Sequence, residues 1–268
     1  MKKNKNVLVI CPNPYSLYTI SVIERLLQEN ISVSGVIYKN IFNLKRFKDE
    51  FKRDGSRLIK KIIHKLILRK KSYTNSSVFS IVDYMAKYNI ESKSIFQLSK
   101  DHDIPLIKCD NINNEVSLSV LKEKNPSLVI FTGGGLIRDP FLQNSGLGVL
   151  NCHMGILPEY RGMDVVEWPI LKNDFDELGF TVHIMEKGVD TGPILYSEKI
   201  KVSSSETITE LRRRYEPLMT EAMVQTSIKY LNNHIVPKSQ NKEDGSQYFI
   251  MHPILQNIMK KNLRNSKR

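Results

Sequence analysis

Cysteine is scarce in this chain of 268 residues: there are three, Cys11, Cys109 and Cys152, far apart and odd in number. That excludes a disulfide framework. None of the three stands at metal-ligand spacing, so no metal is expected, and a reducing, cytoplasmic setting fits best. Long apolar runs are also missing. No stretch approaches the roughly 20 residues that cross a bilayer as a helix, so no transmembrane segment is expected. The opening Met1-Lys2-Lys3-Asn4-Lys5-Asn6 has the charge of a secretory leader, but the apolar run after it, Val7–Cys11, is too short and no small-residue cleavage site follows. It reads as a basic leader into a first buried strand. No G-x-G-x-x-G follows that strand. The turn is Cys11-Pro12-Asn13-Pro14-Tyr15-Ser16, and its two prolines lack the N–H donors of a phosphate cradle, which argues against the usual dinucleotide site. Internal repeats and long low-complexity segments are absent too.

What is present in excess is positive charge, and it is local. The net charge is +12, yet the stretch from Asn43 to Tyr73 holds twelve Lys/Arg against three acids, the tail from Met259 adds five bases, and Lys2, Lys3 and Lys5 complete the excess, leaving −5 for the remainder. Within this stretch Arg57–Lys71 alternates apolar pairs with basic residues at a spacing of four, the pattern of an amphipathic helix with a cationic face. Such a face suits plain solvation, contact with a phosphorylated substrate, or an anionic membrane surface. A mildly acidic body argues against a uniformly basic nucleic-acid surface, so nucleic acid is not the expected partner.

The apolar fraction of 41% is enough for a sizeable core. Val7–Cys11 reads as a strand buried on both faces, Ser16–Asn30 has helical spacing, and Ile31–Tyr38 is a second strand. That order begins an α/β fold with a Rossmann-like, doubly wound, mainly parallel sheet. Helices are expected at Ser80–Tyr88 and Val116–Lys124, and strands at Ile104–Lys108, Leu128–Thr132, Gly148–His153, Phe180–Met185 and Ile194–Ser197. Thr207–Asn232 is a long helical stretch in which Pro217 is expected to kink or divide the helix. Residues 1–200 then form a catalytic domain, and 201–268 a C-terminal helix and short extension in which Tyr248–Ile250 and Ile254–Met259 pack back.

Gly133-Gly134-Gly135 directly follows a buried strand. In open α/β sheets ligands bind beyond the carboxyl ends of the strands, and glycines there let a flat ligand approach the backbone. Asn151 and His153 are two apart on a strand and share a face, whereas Cys152 points to the other and reads as core. Asp190 returns from a separate loop as a third group. Singly, each suits a structural role: a strand-end amide, a hydrogen-bonded histidine, a turn aspartate. Together they fit acyl transfer to an amine, with His153 as base, the Asn151 amide as oxyanion donor and Asp190 orienting the ring or accepting the amine proton.

Four runs are highly specific: Asn151-x-His153; Ile156-Leu157-Pro158-Glu159-Tyr160-Arg161-Gly162; Trp168-Pro169-Ile170; and Gly179 to Met185 continuing into Val189-Asp190-Thr191-Gly192-Pro193-Ile194-Leu195. Their order resembles the folate-dependent formyltransferase family, which includes methionyl-tRNA, glycinamide ribonucleotide and sugar-nucleotide N-formyltransferases. The resemblance covers about Val129 to Tyr196. It implies N10-formyltetrahydrofolate as formyl donor and Asn151, His153 and Asp190 as the catalytic trio. It also implies a pterin ring lying against Gly134, Gly135, Leu136 and Ile137 and against Gly188, Val189 and Thr191. Tyr160, Arg161 and Trp168 either shape the acceptor side or buttress the loop.

The glycine-rich phosphate loop of the glycinamide ribonucleotide enzymes is replaced here by Cys11-Pro12-Asn13-Pro14, and the region after Ile200 is short for a tRNA-holding domain. The expected acceptor is therefore the amino group of a nucleotide-linked amino deoxysugar destined for a surface glycan such as lipopolysaccharide. A methionyl-tRNA formyltransferase-like enzyme and a non-catalytic folate-binding protein are the alternatives. A homodimer is expected, with Thr207–Asn232 and Tyr248–Met259 as candidate surfaces.

Overall fold

The computed structural model describes residues 5–39, 78–203, 206–241 and 243–266. The basic Arg57–Lys71 segment lies outside the described residues. In chain order the elements are β1 (Asn6–Cys11), α1 (Leu17–Gln28), β2 (Ser32–Lys39), α2 (Ile81–Lys87), α3 (Ile95–His102), β3 (Leu106–Cys109), α4 (Glu115–Lys124), β4 (Leu128–Phe131), α5 (Asp139–Leu142), β5 (Val149–His153), β6 (Tyr160–Gly162) and α6 (Glu167–Lys172). A 3-10 turn at Phe175–Glu177 leads into β7 (Gly179–Ile184), β8 (Ile194–Lys199), α7 (Ile208–Leu231), β9 (Ser246–Tyr248) and α8 (Pro253–Asn265). The sequence pattern misses the helices α3, α5 and α6 and the strands β6 and β9; the two strands are only three residues long and carry no readable alternation.

Seven strands form one sheet in the order β3-β2-β1-β4-β5-β7-β8. The first five run parallel, and β7 and β8 add antiparallel pairs at the edge. This is the doubly wound α/β, Rossmann-like plan. Its order reverses between β1 and β4, which places a crevice at their carboxyl ends.

Side-chain alternation sorts each inner strand between two cores. Val7, Val9 and Cys11 of β1 join the larger cluster, with Leu128 and Ile130 of β4, Leu150 and Cys152 of β5, and Phe180 and Val182 of β7. Leu8 and Ile10, with Val129, Phe131 and Val149, join the smaller cluster under α4 and α5. Cys152 is thus a core residue on the face opposite Asn151 and His153, and burial pushes its thiol well above the ordinary range.

Helix α7 closes the larger core with Leu211, Tyr215, Met219, Met223 and Val224, and α8 adds Met259 and Leu263. Core residues on both sides of residue 200 therefore belong to one cluster. Pro217 does not divide α7, which runs unbroken for 24 residues with Pro217 buried inside it. Burial of the flanking turns outweighs the single backbone bond that proline removes. Arg212 on α7 grips the buried Glu167 of α6 with two hydrogen bonds of 2.8 and 2.6 Å. Among the described residues no helix is long and apolar enough to cross a membrane.

Candidate active site

The crevice floor is made by the turns leaving β1 and β4. Gly133, Gly134 and Gly135 have φ of 128°, 129° and 116°, a region that side-chain-bearing residues rarely enter. A side chain at Gly133 would also meet the Pro12 ring at 3.3 Å. Two residues not picked out from the sequence hold this loop. Asn113 donates to the Leu136 carbonyl (2.9 Å) and accepts from the Arg138 N–H (2.7 Å), and the Lys39 ammonium donates to the Gly134 carbonyl (3.2 Å). Leu136 is left 74% exposed and Val189, across the crevice loops, 38% exposed. An ion pair between Lys187 and Asp139 (3.4 Å) ties the β7–β8 loop to the segment after the glycines.

Asn151 and His153 stand on β5, and Asp190 comes from the β7–β8 loop, as the motif order implies. The buried His153 uses Nε2 to donate to the Tyr160 carbonyl at 2.8 Å. In the neutral ring the lone pair therefore sits on Nδ1, which lies 3.4 Å from Asp190 Oδ2. The same Asp190 oxygen accepts the Gly162 N–H at 2.9 Å. Burial lowers the His153 pKa, His183 adds to that, and the Asp190 charge and Tyr160 carbonyl only partly oppose it. Burial alone would raise the Asp190 pKa, but His183, His153 and the Gly162 N–H outweigh it and hold it at about 2. At neutral pH the pair is a neutral imidazole beside a carboxylate, with a proton-accepting nitrogen between them.

The structure adds His183, which appears in the motif run without a role. It lies on β7 directly opposite Asn151 in the antiparallel register. Its Nδ1–H donates to the Ile184 carbonyl (3.1 Å), which leaves Nε2 to accept from the Asn151 amide at 3.2 Å. His183 thus fixes which way the Asn151 amide points. It also stands 3.6 Å from the other Asp190 oxygen. The signal for His183 is spatial: it depends on which residue of β7 pairs with Asn151. Thr181, opposite His153, donates to the Gly155 carbonyl (2.9 Å) and accepts from Leu157 N–H (3.1 Å), which holds the loop leaving β5.

Of the residues expected either at the acceptor side or as buttresses, Tyr160 and Trp168 are engaged in packing. The Tyr160 hydroxyl donates to Asp174 (2.7 Å), and its ring stacks on Tyr248 at 5.1 Å. The Trp168 indole N–H donates to the Phe249 carbonyl (2.9 Å), with its ring 5.2 Å from Tyr248. Arg161 is half-buried, with its Nε enclosed and unpartnered. Among the described residues no group of three or more His, Cys, Asp or Glu is placed to hold a metal ion.

The sequence profile described as Formyl transferase matches residues 53–227, well over half of the chain, and takes in Asn151, His153, His183 and Asp190. The chain belongs to the formyl transferase family. Methionyl-tRNA formyltransferase of Thermotoga maritima is 29% identical over 145 residues, which covers 54% of this chain and 46% of that protein. The chain spans about half the length of the curated relatives it matches. Among solved structures, the N-formyltransferase of Helicobacter canadensis, crystallised with folinic acid and dTDP-3-aminofucose, superposes with a TM-score of 0.60 at 15% identity, covering 98% of this chain and 81% of that one. Phosphoribosylglycinamide formyltransferase of Anaplasma phagocytophilum gives 0.59 at 16%, covering 93% and 100%. Identity this low carries the fold and leaves the acceptor open.

Proposed function

We propose that this formyl transferase uses N10-formyltetrahydrofolate to formylate the amino group of a nucleotide-linked amino deoxysugar, with Asn151, His153 and Asp190 as its catalytic residues. The observation that carries the reading is the convergence of these three groups beside the glycine loop at the strand ends. The folate supplies a formyl group carried on N10. Leu136 and Val189 offer exposed apolar flanks for a flat ring, and the backbone of Gly134–Ile137 and Gly188–Thr191 offers polar edges.

The reaction forms a bond from the acceptor nitrogen to the formyl carbon and breaks the bond to N10. The acceptor loses a proton and N10 gains one. Asn151, aimed by His183, has its second amide hydrogen unengaged among the described residues and directs it at the developing oxyanion. The His153–Asp190 pair takes the amine proton at Nδ1, where the carboxylate stabilises the imidazolium.

The first turn supports a sugar-nucleotide acceptor over a ribonucleotide monophosphate. Pro12 and Pro14 have no N–H, Tyr15 N–H is turned to the Asn13 side chain (3.0 Å), and Ser16 N–H to the Asn13 carbonyl (3.2 Å). With two prolines and two N–H groups bonded inside the turn, few of its donors are left for a phosphate cradle. The second reading, a methionyl-tRNA acceptor, is favoured by the names of the matched relatives. A homodimer is part of the proposal; Phe249, Ile250 and Ile254 stand exposed on the C-terminal segment.

The deciding experiment incubates the protein with N10-formyltetrahydrofolate and a panel of nucleotide-linked amino sugars, glycinamide ribonucleotide and charged initiator tRNA, reading products by mass. A formyl gain on a sugar nucleotide, lost in His153→Ala, supports the reading. A product on tRNA alone replaces it with the second, and folate binding without any product points to a non-catalytic folate-binding protein.

A further inference from the structure

The segment 238–251 is tied to the candidate catalytic loops at several points. Lys238 and Ile194 exchange backbone hydrogen bonds of 2.8 Å. β9 runs along β6, so that Ser246, Gln247 and Tyr248 pair with Tyr160, Arg161 and Gly162. Met251 N–H donates to the Asp164 carboxylate at 2.9 Å. The Gln240 side-chain amide donates to the backbone carbonyl of Asp190 (3.1 Å) and also to that of Gly192.

The Gln240 contact has a fixed chemical sense. Both of its partners are carbonyl oxygens, so only the nitrogen end of the amide can face them. The oxygen end is turned away, enclosed and without a protein partner. Asp190 has φ of 51°, in the left-handed region that aspartate tolerates at some strain. It is gripped at two ends: Gly162 N–H on β6 holds its carboxylate, and Gln240 holds its carbonyl. Both grips lead into the same C-terminal strap, since β6 is itself held by β9.

We propose that Gln240 is a positioning residue for Asp190: its two donated hydrogen bonds fix the left-handed turn and thereby the distance from the Asp190 carboxylate to His153. The proposal rests on the catalytic role given above to Asp190. Gln240→Leu keeps the volume and removes the donors. Gln240→Glu keeps the shape and sets a carboxylate against two carbonyl oxygens.

Two readouts on the full chain test this. The first is the pH titration of the His153 ring by NMR, which needs no acceptor. His183 is assigned alongside, because it also faces Asp190. In Gln240→Leu the His153 midpoint is expected to move down, in the direction of Asp190→Asn, because the carboxylate that favours the charged ring has drifted. The second is turnover with N10-formyltetrahydrofolate and a dTDP-linked 3-amino deoxysugar. Gln240→Leu is expected to lower kcat by about tenfold with the acceptor KM within about twofold, since small misplacement of a reacting group acts on turnover. In Gln240→Glu part of the loss returns as the pH falls and the new carboxyl protonates. In an Asp190→Asn background, Gln240→Leu should cost no more than about twofold further.

An unmoved His153 titration in Gln240→Leu, or an undiminished penalty in the Asp190→Asn background, overturns the proposal while leaving the site reading in place. Wild-type turnover in Asp190→Asn overturns both together.

Discussion

At the residue scale, the candidate site sets a neutral amide and a neutral ring beside an anion. Each of Asn151→Ala, His153→Ala and Asp190→Ala is expected to cut turnover by about 100-fold or more, the scale of a lost oxyanion donor or general base, with folding intact by circular dichroism. Near-normal turnover in all three would sink the trio. The acid limb of the pH–rate profile should lie below the ordinary imidazole value of about 6.5, because burial keeps His153 neutral. Stability follows the same sign. A buried neutral histidine with a lowered folded pKa stabilises fully above about 6.5, and that contribution erodes as the pH falls, because the unfolded state binds the proton more readily. Asp190, held at about 2, stabilises above the ordinary carboxylate range and loses that contribution as the pH falls toward 2. The unfolding midpoint should therefore drop on acidification below about 6.5, and His153→Gln should flatten the upper part of that drop.

At the scale of elements, β6 and β9 form the smallest sheet and carry the largest positional burden. Gly162 has φ of 99°, and a side chain there would stand 2.2 Å from the Tyr248 carbonyl. Gly162→Ala is therefore expected to cost about 2 kcal/mol or more, read by chemical denaturation, and to weaken the grip on Asp190. In α7, Pro217→Ala restores a backbone donor and removes about two buried methylenes. A helix-interior proline costs about 3 kcal/mol, against about 0.8 kcal/mol per methylene, so a net gain of about 1 kcal/mol in unfolding free energy is expected; destabilisation would show that the proline ring is packed too well to lose. The long elements were legible because their patterns are intrinsic: the apolar run of β1, the helical spacing of α1, the polar–apolar order around β5. Pro217 does not divide α7, because the packing that holds the helix together comes from residues distant in sequence.

At the scale of the whole molecule, a single tryptophan, Trp168, lies against the C-terminal strap and reports on its docking. Met251, Met259 and Leu263 share the main core with the sheet, so Trp168 fluorescence and far-ultraviolet circular dichroism should unfold in one coincident transition. An earlier fluorescence transition would mean that the strap opens by itself, and the candidate catalytic loops with it. By itself the sequence determined the α/β class, the strand that carries Asn151 and His153, the core position of Cys152 and the loop that returns Asp190, because alternation and turn chemistry act over a few residues. Only the tertiary structure decided that His183 aims Asn151, that Tyr160 offers His153 its carbonyl rather than its ring, and that Gln240 grips the Asp190 turn. The first depends on strand register, the second on the path of the loop between β5 and β6, and the third on a C-terminal segment crossing back to the β7–β8 loop, none of which an alternation or turn pattern reveals.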